Sequence, residues 1–529
     1  MRRLLAISAL FSVLVFAEGV LAASVFVIKG RGWGHSVGMS QWGAYGMVAT
    51  GNASTHEAIL AHYYRGTQIE SRPDVIVRVL LASNRAALTI GSAQPFKVAT
   101  KAAAPGDYKV TLTTDGRIRV WGVGVFPTPL RFSPGIGYME LLNKPYRGVI
   151  DVRRDGASLD ARNAVEREAY LRGVVPGEVP SSWYGAVLRA QAVAARSWVM
   201  RSLKPPTAWF DVYPDTRSQV YGGVREEEAS TNQAVADTAG QVLTYQGAIA
   251  QAFYHSSSGG RTASSADVWG GQLPYLQSEP DFDLAVPSNP HRLWRLNWTA
   301  RVLAGQLGTQ PPTDATLTRD GSGLAQVLTV KGPGWSSSIE GSERLRGVLD
   351  VKSARFWIGV LALKADRSRI TYGDSVSLAG LARPPAGDRW TAYLERKRYG
   401  QAWKRDATPL AVTNGAWAKS PTPRITTSYR VVAGGVTGAT SRVWVAVRVS
   451  FYEPKNATQL RGVVAPKRAG ASVAIQKRRA DGTWRTLRTV STNAAGEFTA
   501  NASLTTGIYR AVASLDGGFV RGFAYLRIA

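Results

Sequence analysis

Apolar and polar positions change period along this chain, and the changes mark its elements. The runs Val75-Ile76-Val77-Arg78-Val79-Leu80-Leu81, Ala87-Leu88-Thr89-Ile90 and Tyr108-Lys109-Val110-Thr111-Leu112 are short, β-branched and partly alternating, which predicts strands. Asp115-Gly116 is a hairpin turn into Ile118-Arg119-Val120, and short β-runs continue to Val152. The spacing then becomes helical. Residues 162–203 form the main helical region: residues 166–175 lead to Pro176-Gly177-Glu178-Val179-Pro180, and residues 183–200 carry Val187, Leu188, Ala190, Val193, Ala194 and Val199. Pro180 and Lys204-Pro205-Pro206 bracket that helix, so Glu178 stands at the head of a buried helix. Residues 52–65 also read as helix, with Ser54 as N-cap and Glu57 completing a capping box. A further helix is expected at 226–240 and strands at 242–245 and 249–254, ending at the Gly/Ser-rich loop His255-Ser256-Ser257-Ser258-Gly259-Gly260-Arg261-Thr262. A helical region around Leu303 and a strand at 326–331 precede Phe356-Trp357.

Beyond residue 358 short alternating strands dominate and repeat at about 80 residues. Leu378 and Gly380 recur as Leu460 and Gly462, Trp403-Lys404 as Trp484-Arg485, and Tyr429-Arg430-Val431 as Tyr509-Arg510-Ala511. Two all-β immunoglobulin-like sandwiches are expected, at 358–449 and 450–529. Both are basic, with Arg396-Lys397-Arg398 and Lys477-Arg478-Arg479 at corresponding places.

The stretch Gly30-Arg31-Gly32-Trp33-Gly34-His35-Ser36-Val37-Gly38-Met39-Ser40-Gln41-Trp42-Gly43 fits neither period. Internal glycines disfavour helix by about 1 kcal/mol each relative to Ala, so a turning, close-packed wall of a site is expected instead of a helix. It has no P-loop Lys-Ser/Thr and no strand-then-helix frame, which excludes a nucleotide loop.

Length and composition add three constraints. At 529 residues with 45% hydrophobic residues, the chain is a multidomain globular protein. Residues 1–22 read as a secretory signal peptide: Met1-Arg2-Arg3, an apolar run, then Val20-Leu21-Ala22-Ala23 for cleavage near Ala22. With no Cys there is no disulfide, thiolate metal site or Cys nucleophile. The net charge of +27 calls for a polyanionic neighbour, and a secreted protein meets the anionic polymers of a wall rather than nucleic acid.

Four segments together resemble the SpoIID/LytB family, which covers stage II sporulation protein D and the amidase enhancers. They are Tyr170-Leu171-Arg172-Gly173-Val174-Val175-Pro176-Gly177-Glu178-Val179-Pro180 with Ala190-Gln191-Ala192-Val193-Ala194-Ala195-Arg196-Ser197; Asp215-Thr216 with Gln219-Val220-Tyr221; Gly240-Gln241-Val242-Leu243 with the His255 loop and Val268-Trp269-Gly270; and the opening stretch. The family's Gly-His-Gly-Val-Gly-Met-Ser-Gln motif closes its domain, whereas here it opens it, with Ser36 in place of the second Gly. The resemblance therefore implies an α+β SpoIID-like catalytic domain over 25–357, circularly permuted, with 25–70 the displaced segment and 75–357 the main body. Residues 25–70 are then expected beside the segment ending near Trp357, with His35 and Gln41 facing Glu178.

The resemblance also implies an activity. Family members of the sporulation type are lytic transglycosylases, cleaving the MurNAc–GlcNAc bond of peptidoglycan to a 1,6-anhydro product. One carboxyl group suffices, so Glu178 is the expected catalytic residue, with Val174, Val175, Val179 and Trp183 as its apolar surroundings. Read without the family, Glu178 is better explained as a carboxylate at a helix N-terminus, stabilised by the helix dipole. Expected substrate contacts are Arg189 (where the family has Lys), Gln191, Gln219, Tyr221, His35, Gln41, His255 and Ser257. Gln191 also reads as a buried amide, and each His as a structural one. No metal or cofactor is expected, since the zinc-binding members use Cys near the His255 loop. The expected partners are glycan strands, anionic wall polymers and a cell-wall amidase. Two rival readings are a non-catalytic, wall-binding enhancer of an N-acetylmuramoyl-L-alanine amidase, and a hydrolase pairing Glu178 with Asp215 or Asp267 at about 5 Å or about 6.5–9.5 Å.

Overall fold

A computed structural model describes residues 23–456 and 458–528; the signal peptide read at 1–22 lies outside the described residues. The Gly185–Ser202 helix organises the first half of the fold, because it is buried on two sides. Leu188, Ala192, Ala195 and Val199 face one core, and Ala186, Val187, Ala190, Val193 and Ala194 face another. Its alanines keep the helix thin enough to lie between two layers.

The first layer is a pair of six-stranded sheets built from residues 76–166. The strand Ile76–Arg85 pairs with Ser158–Glu166, Val165 opposite Val77 and Ala164 opposite Arg78. This corrects the helical reading of residues 162–166. Their backbone is taken up by the ladder, and helix begins only at Arg167–Arg172, followed by the single turn Val175–Glu178.

The second layer holds the opening stretch. It contains a helix after all, Gln41–Ala49, capped by the Ser40 hydroxyl on the Gly43 amide. The expectation of a glycine-broken wall was wrong there for a packing reason: a β-carbon on Gly43 would overlap the Asp281 carboxylate and the Tyr63 hydroxyl. Close approach outweighs the propensity cost. The next helix, His56–Tyr63, is capped by Thr55 rather than Ser54.

The boundary expected at 357/358 falls inside the strand Phe356–Ala365. This strand pairs with Ala23–Gly30 on one side and Leu378–Arg383 on the other, within a five-stranded sheet that also contains Trp294–Thr299 and Ala416–Lys419. Both faces of the sheet are buried. Phe26, Ile28, Phe356 and Val360 face the 294–349 module, while Val25, Val27, Leu361 and Leu363 face the first C-terminal sandwich. That sandwich therefore borrows strands from both ends of the preceding domain. The second sandwich is a three-stranded sheet on a four-stranded one over its own core, joined to the first by the Ala446–Val520 bridge and by Phe519, which packs against both cores.

Candidate active site

A cleft of about 540 Å³ opens where the Val175–Glu178 turn, the 216–220 loop, the His255 loop and the opening stretch meet. The opening stretch is stitched into place by backbone bonds. Trp33 and Ser257 exchange two hydrogen bonds (2.7 and 3.1 Å), the Trp42 amide donates to Ser256 O (2.9 Å), and Met39-Ser40 runs parallel to Tyr254-His255. Gly34 leaves the space that the His255 side chain occupies.

Glu178 is the carboxylate among the described lining residues. Burial pushes its carboxyl above the usual range, against three donors that favour the ionised form: the Val220 amide (3.1 Å to Oε1), the Tyr254 hydroxyl and the Gln41 amide. Those donors are themselves held. Tyr170 donates to Gln219 Oε1 (3.1 Å), and Gln219 Nε2 donates to the Tyr254 oxygen (2.8 Å), which leaves the Tyr254 proton for Glu178. Gln41 Nε2 also reaches Gln191 Oε1 at 3.4 Å. The apolar walls are not the valines named from sequence. Val174, Val175 and Val179 belong to the core behind the turn, and Trp183 packs edge-to-face on Trp42 and at a tilt on Tyr45. Trp198, Val220, Phe253 and Tyr254 surround the carboxyl, and the half-exposed Trp33 and Trp269 stand at the rim.

The two imidazoles are neutral and fixed as tautomers. His35 Nδ1 accepts from the Val37 amide (3.1 Å) and its other nitrogen donates to the Tyr254 carbonyl; burial pushes its pKa down to about 4. His255 Nδ1 faces the Val37 carbonyl at 3.2 Å and so donates, leaving Nε2 as a buried acceptor with no partner among the described residues; burial holds its pKa well below the usual range.

Of the expected substrate contacts, His35, Gln41 and His255 line the cleft with Glu178. The other five do not. Gln191 and Gln219 lie one layer behind, bonding the groups that touch Glu178. Tyr221 is core, stacked on Tyr170, with its hydroxyl donating to Asn163 (2.8 Å). Ser257 is fully buried and donates to Asp283 (2.5 Å). Arg189 points along the outer surface to Asp237 (3.4 Å). The carboxylates proposed for a hydrolase are engaged elsewhere. Asp215 is held at a pKa of about 2 by Arg217 (2.7 Å), and Asp267 caps the Ser265–Trp269 helix in a capping box. Sequence reasoning missed Tyr254 and the Val220 amide as partners of Glu178, and Trp198 as a wall of the cleft. They come from three separate segments, and no local pattern joins them.

A buried carboxyl whose burial favours the protonated form, in an aromatic-walled cleft, is the arrangement that acid–base chemistry on a substrate with ring faces would need. Residues 155–245 match the SpoIID family, described as stage II sporulation protein, and this segment includes Glu178. An amidase enhancer of Bacillus subtilis (strain 168) is 35% identical over 213 residues, covering 40% of this chain and 24% of its own length. Stage II sporulation protein D is 32% identical over 127 residues in B. subtilis (strain 168) and 33% over 128 in Bacillus amyloliquefaciens, each match covering 21% of this chain and 37% of the relative. The chain therefore carries a domain of the SpoIID/LytB family, and it spans from about a quarter to over a third of these relatives. Among solved structures, a two fibronectin type-III domain segment of chicken tenascin aligns over 31% of this chain and 97% of its own at 12% identity; its TM-score of 0.22 is too low to bear on the fold.

Proposed function

We propose that this chain acts on the bacterial cell wall as a secreted peptidoglycan lytic transglycosylase, with Glu178 as the group that moves the proton. One observation carries the reading: Glu178 is the cleft's carboxylate and its burial favours the protonated form. A hydrolase needs a second carboxyl to activate water or hold the sugar cation. A lytic transglycosylase does not, because the sugar's own C6 hydroxyl attacks C1. Protonated Glu178 gives its proton to the glycosidic oxygen as the C1–O bond breaks. The resulting carboxylate, received by the Val220, Tyr254 and Gln41 donors, then takes the proton of the C6 hydroxyl as the C6–O–C1 bond forms. No water is consumed. Trp33, Trp198 and Trp269 offer faces for the sugar rings.

The same reading treats Gly30–Gly46 as the family's closing segment moved to the front. It is supported by the antiparallel register of Ala23–Gly30 on Phe356–Ala365, Lys29 opposite Trp357, which brings the stretch in where the domain would otherwise end. A second reading rests on the amidase enhancer's name: binding to the wall without cleaving it, in support of an amidase. Among the described residues no helix is long and apolar enough to cross a membrane.

Mass spectrometry of muropeptides released from purified sacculi tests the choice. The wild type is expected to release 1,6-anhydro products and Glu178→Gln none. Equal release by both sinks the catalytic reading. Stimulation of an added N-acetylmuramoyl-L-alanine amidase by both proteins, without anhydro products, establishes the second.

A further inference from the structure

The excess positive charge is concentrated at the C-terminal end. After residue 357 there are 27 basic and nine acidic residues, so this third of the chain carries +18 of the net +27. Part of it is built into a cavity of about 630 Å³ at the mouth of the first sandwich, between its two sheets. Arg396, Arg398, Lys404, Arg405, Lys419 and Arg424 line it, and its carboxylate is Asp406.

The placement is unusual for a strand. In Tyr393–Arg398, Leu394, Arg396 and Arg398 share one face, and Leu394 is a core residue. The two arginines therefore continue a core-facing row. Asp406 compensates Lys419 (2.7 Å) and Arg396 (3.6 Å), and Arg405 turns to Glu395 (3.1 Å). Among the described residues Arg398, Lys404 and Arg424 have no carboxylate partner.

The second sandwich is an internal control. Arg396 pairs with Tyr429 across the strands as Lys477 pairs with Tyr509, and Leu378 with Lys419 as Leu460 with Ala500. Glu395 faces Arg405 as Gln476 faces Thr486, so Leu487 takes the place of Asp406. There Leu487 and Ala500 join an apolar core, and Lys477 reaches Thr505. The second sandwich keeps Lys477, Arg479 and Arg485 where the first has Arg396, Arg398 and Lys404, but Thr486, Leu487 and Ala500 stand where the first has Arg405, Asp406 and Lys419, so the full cluster is not a requirement of the fold. Asp406 and Glu395 compensate three of the six cations, and Arg398, Lys404 and Arg424 add positive charge that a bound anion would offset.

We infer that this mouth binds a linear polyanion of the cell wall, a chain of phosphate or carboxylate groups on a non-aromatic backbone. Single-stranded nucleic acid is held largely by stacking its bases on exposed aromatic side chains. The mouth's aromatic residue, Tyr429, is 2% exposed and offers no such face. Charge without ring contacts suits a polymer whose repeating feature is charge.

The wall setting rests on the proposed function, but the test uses soluble polymers, so its outcome is separate from that of Glu178→Gln. Binding of the full chain to polyglycerol phosphate, polygalacturonate and oligo(dT) is measured across a salt series. Arg398→Glu/Arg424→Glu, both at exposed positions, is expected to weaken binding to the preferred wall-type polymer about tenfold and to lower the slope of log K against log salt by about 1 to 2. Glycan cleavage by this variant is expected to match the wild type, and the preferred polymer identifies the oxyanion. The control Arg479→Glu/Arg485→Glu reverses the second sandwich's counterparts of Arg398 and Lys404 and is expected to have a smaller effect. An equal loss in the control, oligo(dT) bound as well as either polymer, or neither polymer bound overturns the inference.

Discussion

Tyr254→Phe tests the electrostatics of the cleft through a single hydroxyl. That hydroxyl accepts from Gln219 (2.8 Å) and donates to Glu178, and its own pKa is held well above the usual range, so it remains a donor at any working pH. A hydrogen bond to a charged group contributes about 1.5–3 kcal/mol, and 1.36 kcal/mol corresponds to about one pKa unit. The Val220 amide and Gln41 remain in the variant, so the lower end applies: a shift of about one unit. The sign follows from the direction of donation. Donors favour the ionised carboxyl and burial favours the neutral one, so removing a donor raises a pKa that burial has already raised. In the proposed reaction the first step uses protonated Glu178, so the rate is expected to fall as pH rises through that pKa. The initial rate of 1,6-anhydro product release, followed over pH, is expected to keep its shape in Tyr254→Phe while its basic limb moves up by about one unit. A loss of structure alone would scale the whole profile without moving the limb. An unmoved limb, or one displaced to lower pH, refutes the hydrogen-bond account of Glu178.

Two further outcomes concern the scaffold around the cleft. Ser36 holds φ at +68°, in the left-handed region, and its buried hydroxyl has no partner, so Ser36→Gly removes a backbone cost and an unsatisfied group while loosening the unfolded chain; a net gain of about 1 kcal/mol is expected in urea unfolding, and a lower midpoint contradicts it. Asp281, fully enclosed and beside Asp283, is pushed up to about 6 by burial first and that neighbour second, despite donation from Tyr63 (2.6 Å) and Ser258. Its folded pKa lies above its unfolded one, so the stability it lends is full below about pH 4 and is lost as pH rises through about 6. Asp281→Asn is expected to flatten stability over that window, and an unchanged slope rules this group out as its source.

The sequence made the scaffold more legible than the contacts. The Ala-rich helix was visible because both of its faces carry apolar residues at helical spacing, and residues 242–245 because their short apolar run is bounded by turn residues. Residues 162–166 misled because Arg162-Asn163-Ala164 reads as well into the following helix as into the preceding strand; only pairing with Ile76–Arg85 decides it. Glu178 was placed by the prolines and the helix around it. Its neighbours were not, since polar residues inside a motif look alike whether they face a ligand or hold a residue that does. Gln219 and Gln191 act one layer back, Ser257 serves Asp283, and Tyr221 serves the core. A single sequence carries the identities of those residues but not their depth.

One strand with two cores explains why the opening stretch reaches the cleft. In Ala23–Gly30, Phe26 and Ile28 alternate with Val25 and Val27, and each pair enters a different core. Phe356–Ala365 has the same alternation. A slip of one residue between these strands would exchange the two sets and place each in a core shaped for the other. The register is therefore held from both sides, and it sets Gly30 opposite Phe356. From that fixed point Arg31 and Gly34 bond Arg355 O (3.0 Å) and Lys352 O (2.9 Å), and the chain enters the cleft with His35 and Gln41 at Glu178. The first sandwich shares this sheet, so a backbone ladder joins it to the half that carries the cleft where a linker would leave it free. Displacing the sandwich would break the ladder that aims the opening stretch. A polymer bound at its mouth as proposed would thus be presented to a cleft whose geometry depends on the same sheet, because the site wall and the sandwich are positioned by one set of hydrogen bonds.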